Sequence, residues 1–527
     1  LASPEKQLPE TTAGLDDDAS VELGVWRYAR ARRASLVVDC ADYFALIQQA
    51  MLLARQRIFL IGWDFDTRIH LAVGRRWWEK GWRREAPRRL GSFIPWLVRN
   101  RPGLEVRILK WSFGVLSFFT RGSMLLDIMR WWPKKRIDFK FDTAHPIGCS
   151  HHQKIVVIDE RFAVCGGIDM TGARWDTREH LPHDRRRRGA GRRSYGPWHD
   201  MSLMMEGDVA VTLADLGHAR WDHAGGKSME RCRPQAESAW PEMLEAQFTD
   251  VEIGISRTRA EHGDCPAINE VEELYARQIA GAQKFIYIEN QYFASRAVCE
   301  ALANRLAEPD PPEVIVVHPA NADGFIECLA MDTARAELVA AIEALDEDDR
   351  FRLYALYAAD DVPIYVHAKM MVVDDQLLRV GSANINNRSM GLDSECDVFI
   401  DCARPGNAHA ADAIRTIRLD LLAEHTGLSA DEVEAGIEQH GSMAALIEAL
   451  EGQPGCRLRR FHPPENTEIE RLIALRKTLD PERPDELFAP GSEKRGLFRP
   501  GSLLARARAM ARRRAERRAE RKAAKTQ

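Results

Sequence analysis

Short apolar runs recur along most of the chain, each bounded by charges, glycine or proline. The first series is RIFLIGWDF from Arg57, EVRILKW from Glu105, IDFKFD from Ile137, HQKIVVID from His152 and RFAVCGGID from Arg161. A second series follows in the same order: KFIYIEN from Lys284, EVIVVHPA from Glu313, FRLYALY from Phe351, VHAKMMVVD from Val366 and LLRVGSANI from Leu377. Runs of this length, rich in Val, Ile and aromatic residues, read as buried strands. Helical spacing separates several of them, as in ADYFALIQQAMLLAR before the first series and INEVEELYARQIAGA before the second. Strands alternating with helices predict α/β units, and the repeated order predicts a duplicated domain.

The expected organisation is a polar segment over 1–30, a first α/β domain over 31–250 and a second over 251–403. A helical region over 404–502 and a basic tail over 503–527 follow. HLPHDRRRRGAGRRSYGP, from His180, is an Arg- and Gly-rich insertion expected to be a surface loop.

At 45% apolar and 29% charged, the 527 residues have enough apolar content for a large core and are not globally disordered. The net charge of −5 conceals an asymmetry, because Leu503–Gln527 holds ten Lys or Arg against two Glu. Such a tail suggests an anionic partner. The ten cysteines are scattered, with no CxxC pair, and read as free thiols of a reducing compartment. No apolar run approaches the roughly 18 residues of a membrane span. The polar, acidic start is not a secretory leader. A cytoplasmic, monomeric protein is the expectation.

The candidate chemistry lies in a spacing that occurs twice. His152-Gln-Lys154-IVVI-Asp159 and His367-Ala-Lys369-MMVV-Asp374 both read H-x-K-x4-D. Each leads to a glycine step, Gly166-Gly167 and Gly381-Ser382, and then to a short polar residue, Asp169 and Asn384. Residues two apart in a strand share a face, so each histidine is expected beside its lysine. An ammonium neutralises phosphate oxygens while an imidazole attacks or protonates. The glycine steps are expected to let backbone approach the phosphate. Asp159 and Asp374, at odd offset from their histidines, are expected to brace the fold.

The second copy, IYVHAKMMVVDDQLLRVGSANINNRSMGLDSE, closely resembles the second HKD signature of the phospholipase D superfamily. The first copy, HHQKIVVIDERFAVCGGIDMTGARWDT with GPWHD, resembles its partner, and IYIENQYF resembles the segment between them. The resemblance spans roughly 57–401. It implies a duplicated phospholipase D-type α/β/α sandwich with mixed sheets and a C-terminal helical extension. It implies His152 as nucleophile, through a phosphohistidine, and His367 as the acid and then the base. Lys154, Lys369, Asn384 and the Gly167 region would hold the phosphate, with Asp169 making the two copies unequal. Asp200 and Glu395, downstream of the two motifs, would each orient the histidine of its motif. Asn290 and Gln291 would face the substrate.

The implied activity is hydrolysis or transfer of phospholipid headgroups, in lipid degradation, with water or an alcohol as acceptor and no cofactor. Cardiolipin synthase is the alternative, a nuclease is less favoured and a non-catalytic scaffold least. The implied partner is a membrane surface bound peripherally. RRWWEKGWRR from Arg75, SFFTR from Ser117, the Arg185–Arg193 loop and the tail are candidate contacts; no nucleic acid is expected. His151 and His199 are expected to pack or hydrogen-bond. His70, His145, His180 and His183 show no partner pattern, and the spacing of histidines and carboxylates suggests no metal.

Overall fold

The computed structural model describes residues 22–71, 85–111, 122–189, 193–234, 237–321 and 331–462, with 480–481 and a few positions between 503 and 510. The segments 75–84 and 117–121 and nearly all of the basic tail lie outside the described residues, as do 190–192 of the Arg-rich loop.

Among the described residues, the two predicted strand series supply ten strands of one continuous sheet of 16. From one edge its order is Ile137–Asp142, Glu105–Trp111, Arg57–Gly62, Ile155–Ile158, Phe162–Gly166, Met201–Gly207 and Arg27–Val38. It continues through Phe248–Arg259, Glu395–Asp401, Leu377–Gly381, Lys369–Val373, Phe285–Asn290, Glu313–His318 and Phe351–Leu356. The second half repeats the first in reverse order across the sheet. In each half three parallel strands lie outside and antiparallel strands inside. The halves join where Arg27–Val38 pairs antiparallel with Phe248–Arg259. The duplicated α/β arrangement with mixed pairing is as expected, and its two halves share one large sheet.

The domain boundaries expected near 30 and 250 fall inside these two central strands. Arg27–Val38 hides from a hydrophobicity reading because arginines interrupt it. Arg33 is bound by buried Glu206, and Arg27 by Asp215.

Alternate residues of each strand enter different cores, as the pleat requires. Ile58 and Leu60 face one cluster with the helices Cys40–Leu53, Leu90–Asn100 and Gly122–Trp131. Phe59 and Ile61 face another, which runs across both halves and includes the helices Asp208–His223 and Ala411–Thr426. In the second half Ile286 and Ile288 pack with the helices Glu270–Gly281, Arg296–Leu306 and Thr333–Leu345. Burying both faces of a sheet this wide stabilises by roughly 25 cal/mol per Å² of apolar surface removed from water.

The region after 404 opens with three helices, Ala411–Thr426, Ala430–His440 and Met443–Leu450. Left-handed Gly427 and Gly441 end the first two, a conformation that costs glycine little. A capping box of Ser429 and Glu432 starts the second. The strand Leu458–Arg460 then pairs with Phe351–Leu356 at the sheet edge, so this region is not purely helical.

Candidate functional site

The two H-x-K segments precede their strands or only touch them. The first-half strand begins at Ile155 and the second-half strand at Lys369. Both histidines sit on lead-in backbone that bonds to the opposite half. The amide of His152 donates to Ser394 O at 2.9 Å, and that of His367 to His199 O at 2.7 Å. Tyr365–Val366 also pairs parallel with Trp198–His199. Each lysine folds back onto the carbonyl of its own histidine, Lys154 at 2.7 Å and Lys369 at 2.5 Å. Histidine and lysine are thus neighbours, though through the lead-in and not through strand alternation.

The carboxylates are exchanged between the halves. Nδ1 of His152 lies 3.0 Å from Glu395 Oε1, and Nδ1 of His367 lies 2.7 Å from Asp200 Oδ2. The sequence expectation, in which each motif's acid serves its own histidine, is corrected. The lead-in pairing sets each histidine against the other half's strand start, where Asp200 and Glu395 stand.

Around His152 the tautomer is fixed twice, because Nδ1 donates to the Glu395 carboxylate and to Ser382 O, both at 3.0 Å. Glu395 itself accepts from the hydroxyls of Ser382 at 2.5 Å and Ser389 at 2.7 Å. Trp63 meets the His152 ring edge-on at 6.2 Å. Nε2 is then the nitrogen left for a substrate. Around His367, Trp198 lies at 5.0 Å between ring centres, and Arg174 covers the indole of Trp198 at 3.9 Å. Lys369 Nζ is 3.2 Å from His367 Nδ1 and donates to Gln291 Oε1 at 2.8 Å. Lys154 instead lies 3.4 Å from the carboxylate of Asp169.

Burial dominates the electrostatics. It holds His152 well below the usual imidazole range, helped by Lys154 and Lys369. His367 is lowered in the same way, by burial and then by Lys369, Arg174 and Lys154. Burial pushes Glu395 up to about 8 and Asp200 up to about 7. It pulls Lys369 down to about 7, with Lys154 adding to the effect. Burial and the surrounding Lys154, Lys369 and Arg174 thus favour the neutral form of both imidazoles. That arrangement suits an anionic substrate.

Asp169 and Asn384 occupy matching, buried places, and Asn384 Oδ1 has no hydrogen-bond partner among the described residues. Three expectations shift. Gly166 and Gly381 are glycine because a Cβ there would fall 2.3 Å from Ser202 Oγ and 1.9 Å from Asp397 Oδ1. A Cβ at Gly167 would meet Asp200 Oδ1 at 2.1 Å. These glycines make room for the neighbouring strand rather than for a phosphate. Ser382 spends its hydroxyl on Glu395. Asn290 accepts from the amides of Tyr292 and Ile385, at 3.2 and 3.0 Å, and so braces the Ala383–Ile385 turn. Gln291 reaches the site through Lys369.

Asp159 accepts from the amides of Arg55, Gln56 and Arg57, all at 2.7 Å. Asp374 does the same for Gln283, Lys284 and Phe285. Both aspartates tie the start of a neighbouring strand, Arg57–Gly62 or Phe285–Asn290, to the motif strand.

Arg174, Trp63, Trp198, Ser389 and Tyr365 escaped the sequence reading. Arg174 and Trp198 stood in the quoted GARWDT and GPWHD segments. Trp63 stood in RIFLIGWDF and Tyr365 and Ser389 in the second copy, but none carries a spacing signal of its own. His180 and His199 likewise meet Asp39 and Glu424 from distant segments. The absence of ligand spacing in the sequence therefore did not exclude a cluster in space.

The family described as cardiolipin synthase, PLD-like domain, matches residues 275–414, which hold the whole second motif and Glu395. This match and the relatives below make the chain similar to the phospholipase D superfamily. Phospholipase D A of Dictyostelium discoideum is 23% identical over 75% of this chain and 35% of its own length. Phospholipase D1 of Saccharomyces cerevisiae is 25% identical over 76% and 29%. Phospholipase D alpha 1 of Zea mays is 24% identical over 54% and 49%. The chain thus spans about a third to a half of these superfamily relatives. The crystal structure of phosphatidylserine synthase from Haemophilus influenzae aligns over 84% of this chain and 92% of its own, at 12% identity and a TM-score of 0.47.

Proposed function

We propose that this chain cleaves or transfers the headgroup phosphodiester of glycerophospholipids through a covalent phosphohistidine. The observation that carries the reading is the pair of imidazoles, each with Nδ1 on a carboxylate of the opposite half and a lysine alongside.

In the first step Nε2 of His152 attacks phosphorus. The bond from phosphorus to the leaving alcohol breaks, and the alcohol takes a proton from His367. Lys154 and Lys369 offset the charge on the non-bridging oxygens. In the second step His367 takes the proton of water or of an acceptor alcohol, whose oxygen displaces His152 from phosphorus. His367 must be protonated for the first step. The depressing charges on it come largely from Lys369, Arg174 and Lys154. A bound phosphodiester anion offsets those charges and raises His367 when the proton is needed. His152, doubly fixed as the Nδ1–H tautomer, keeps its Nε2 lone pair for attack.

The relatives named phospholipase D support a phospholipid substrate. The second reading, phosphatidyl transfer to phosphatidylglycerol, is favoured by one observation, the description of the family matched at 275–414. No helix among the described residues is long and apolar enough to cross a membrane, and the proposed attachment is peripheral. Incubation with mixed phospholipids, with and without ethanol, followed by lipid mass spectrometry tests both readings. Phosphatidic acid, with phosphatidylethanol when ethanol is present, is the expected result. Cardiolipin as the sole product, from phosphatidylglycerol alone, supports the second reading. No lipid product at all contradicts both.

A further inference from the structure

Behind His367 the fold assembles a second polar cluster that the phosphodiester chemistry does not use. Asp39 follows the strand Arg27–Val38, His180 lies in the Arg-rich insertion, His199 precedes Asp200, and Glu424 sits on the helix Ala411–Thr426. One donor atom from each lies within 4.8 Å of all the others. Asp39, His180 and His199 are at most 1% exposed, and the Glu424 side chain is 5% exposed.

Four contacts between the donors measure 3.1–3.5 Å, with Asp39 meeting His180 through Oδ2 and His199 through Oδ1. His180 Nε2 lies 3.3 Å from Asp39 Oδ2 and 3.1 Å from Glu424 Oε1. His199 Nδ1 lies 3.2 Å from Asp39 Oδ1 and 3.5 Å from Glu424 Oε1. A tetrahedron with metal–ligand bonds of about 2.0–2.1 Å has edges of about 3.3–3.4 Å. His199 Nδ1 and Asp39 Oδ2 are buried and have no hydrogen-bond partner among the described residues, although charged groups stand next to them. They converge without aligning on one another.

The outer nitrogens complete the pattern. His180 Nδ1 is 2.9 Å from Asp176, and His199 Nε2 is 2.7 Å from Glu289. A metal-bound histidine commonly gives its remote N–H to a carboxylate, which fixes the ring and the tautomer. Asp176 is held by Arg187 and the amide of Trp198, and Glu424 by Arg178. A second grouping, His199, Glu289 and His425, shares one imidazole and is joined by hydrogen bonds of 2.7 and 2.9 Å, while in the first only His180 Nε2 and Glu424 Oε1, at 3.1 Å, make one.

We infer that Asp39, His180, His199 and Glu424 form a closed, structural zinc site. Two imidazoles and two carboxylates in a four-coordinate, buried set suit Zn²⁺. The cation cross-links the first half, the C-terminal helix and, through Glu289, the second half. It also positions the adjoining Asp200, whose amide donates to Asp39 Oδ1 at 3.1 Å and whose carboxylate holds His367. Without a metal, the same residues form a network of ion pairs.

Elemental analysis separates the two. The full chain, purified without chelator from zinc-supplemented culture, should carry about one zinc per chain. Its absorption edge should report nitrogen and oxygen neighbours with two imidazoles and no sulfur, which excludes capture by the cysteines. Unfolding in chelator and refolding with Zn²⁺ should raise the Tm by several degrees over refolding without it. Glu424→Gln, which keeps the shape of the side chain, and His180→Gln should lose the zinc. His409→Gln, at an exposed histidine outside the cluster, should keep it. Wild-type protein that folds without zinc and refolds to the same Tm with or without micromolar Zn²⁺ overturns the inference. So does zinc retained in both the Glu424 and His180 variants, or a sulfur-containing shell. A variant too unstable to purify leaves the wild-type metal content, absorption edge and refolding comparison to decide.

Discussion

The two halves of the sheet carry the same motif in unequal surroundings. In the first half, His152 has its Nδ1 proton pinned by two acceptors, and Lys154 leans on the carboxylate of Asp169. In the second, the Nδ1 of His367 lies between a carboxylate and an ammonium, and Lys369 rests on the neutral amide of Gln291. Arg174 adds a further positive charge beside His367. The difference teaches how a duplicated motif acquires two roles. In the proposed mechanism one histidine is held as the nucleophile, and the other waits among cations for an anion to make it an acid.

The comparison breaks most sharply if either histidine proves dispensable. His152→Ala and His367→Ala should each lower kcat by roughly 10³-fold or more, and the double variant should be no worse than the worse single one. Headgroup release assayed on folded variants checks this. Near-normal activity in either variant would show that one half suffices.

A smaller loss is expected from the carboxylates. Glu395→Gln and Asp200→Asn should each cost roughly 10²–10⁴-fold in kcat, by analogy with other histidine-orienting carboxylates. If the exchange between halves holds, Glu395→Gln should slow formation of the covalent intermediate, since it orients the nucleophile. Asp200→Asn should slow protonation of the leaving group, so its defect should shrink on substrates with acidic leaving groups. Pre-steady-state assays with a good and a poor leaving group distinguish these outcomes from the opposite pairing.

The lysines sharpen the asymmetry further. Lys369→Met should cost several-fold more activity than Lys154→Met, because Lys154 is already partly neutralised by Asp169. Equal losses would remove that distinction.

The pH dependence of stability gives a gentler test. The folded value of Glu395, pushed up to about 8, lies above its usual 4.5. The protonated carboxyl is the form the folded site prefers. Its contribution is therefore fully present below about pH 4.5 and is lost as pH rises through about 8. Glu395→Gln lacks this titration, so its Tm relative to wild type should climb between pH 5 and 8 and then level off. A difference that stays flat with pH would contradict the burial argument.

The duplicated strand order, the helices between the strands and the two H-x-K-x4-D motifs are legible in the sequence because each is local. Ile155–Ile158 and Lys369–Val373 announce themselves by unbroken apolar runs. What stays hidden is contact between segments far apart. The central strands Arg27–Val38 and Phe248–Arg259 are broken by charges whose partners lie elsewhere in the chain. The exchange of Asp200 and Glu395, and the gathering of Asp39, His180, His199 and Glu424, depend on how the halves meet. The glycine steps were visible, but their reason, the side chains of Ser202 and Asp397 on the next strand, was not.

The smallest effects should be equal in the two halves. Asp159→Ala and Asp374→Ala each remove a carboxylate that accepts from three backbone amides. Each should cost roughly 1–3 kcal/mol of stability with little change in kcat at low temperature. Denaturant unfolding measures both, and a large activity loss without destabilisation would move that aspartate into the site.

The central claim, that two equivalent motifs have divided into nucleophile and acid, is tested most directly by locating the covalent phosphorus. The His367→Ala variant, incubated with labelled phospholipid and quenched without acid, should carry the label on the peptide containing His152, and His152→Ala should carry none. Label on His367 in the His152 variant, with none on His152 in the other, would reverse the roles. No adduct on either, together with inversion at phosphorus, would replace the covalent mechanism with direct displacement.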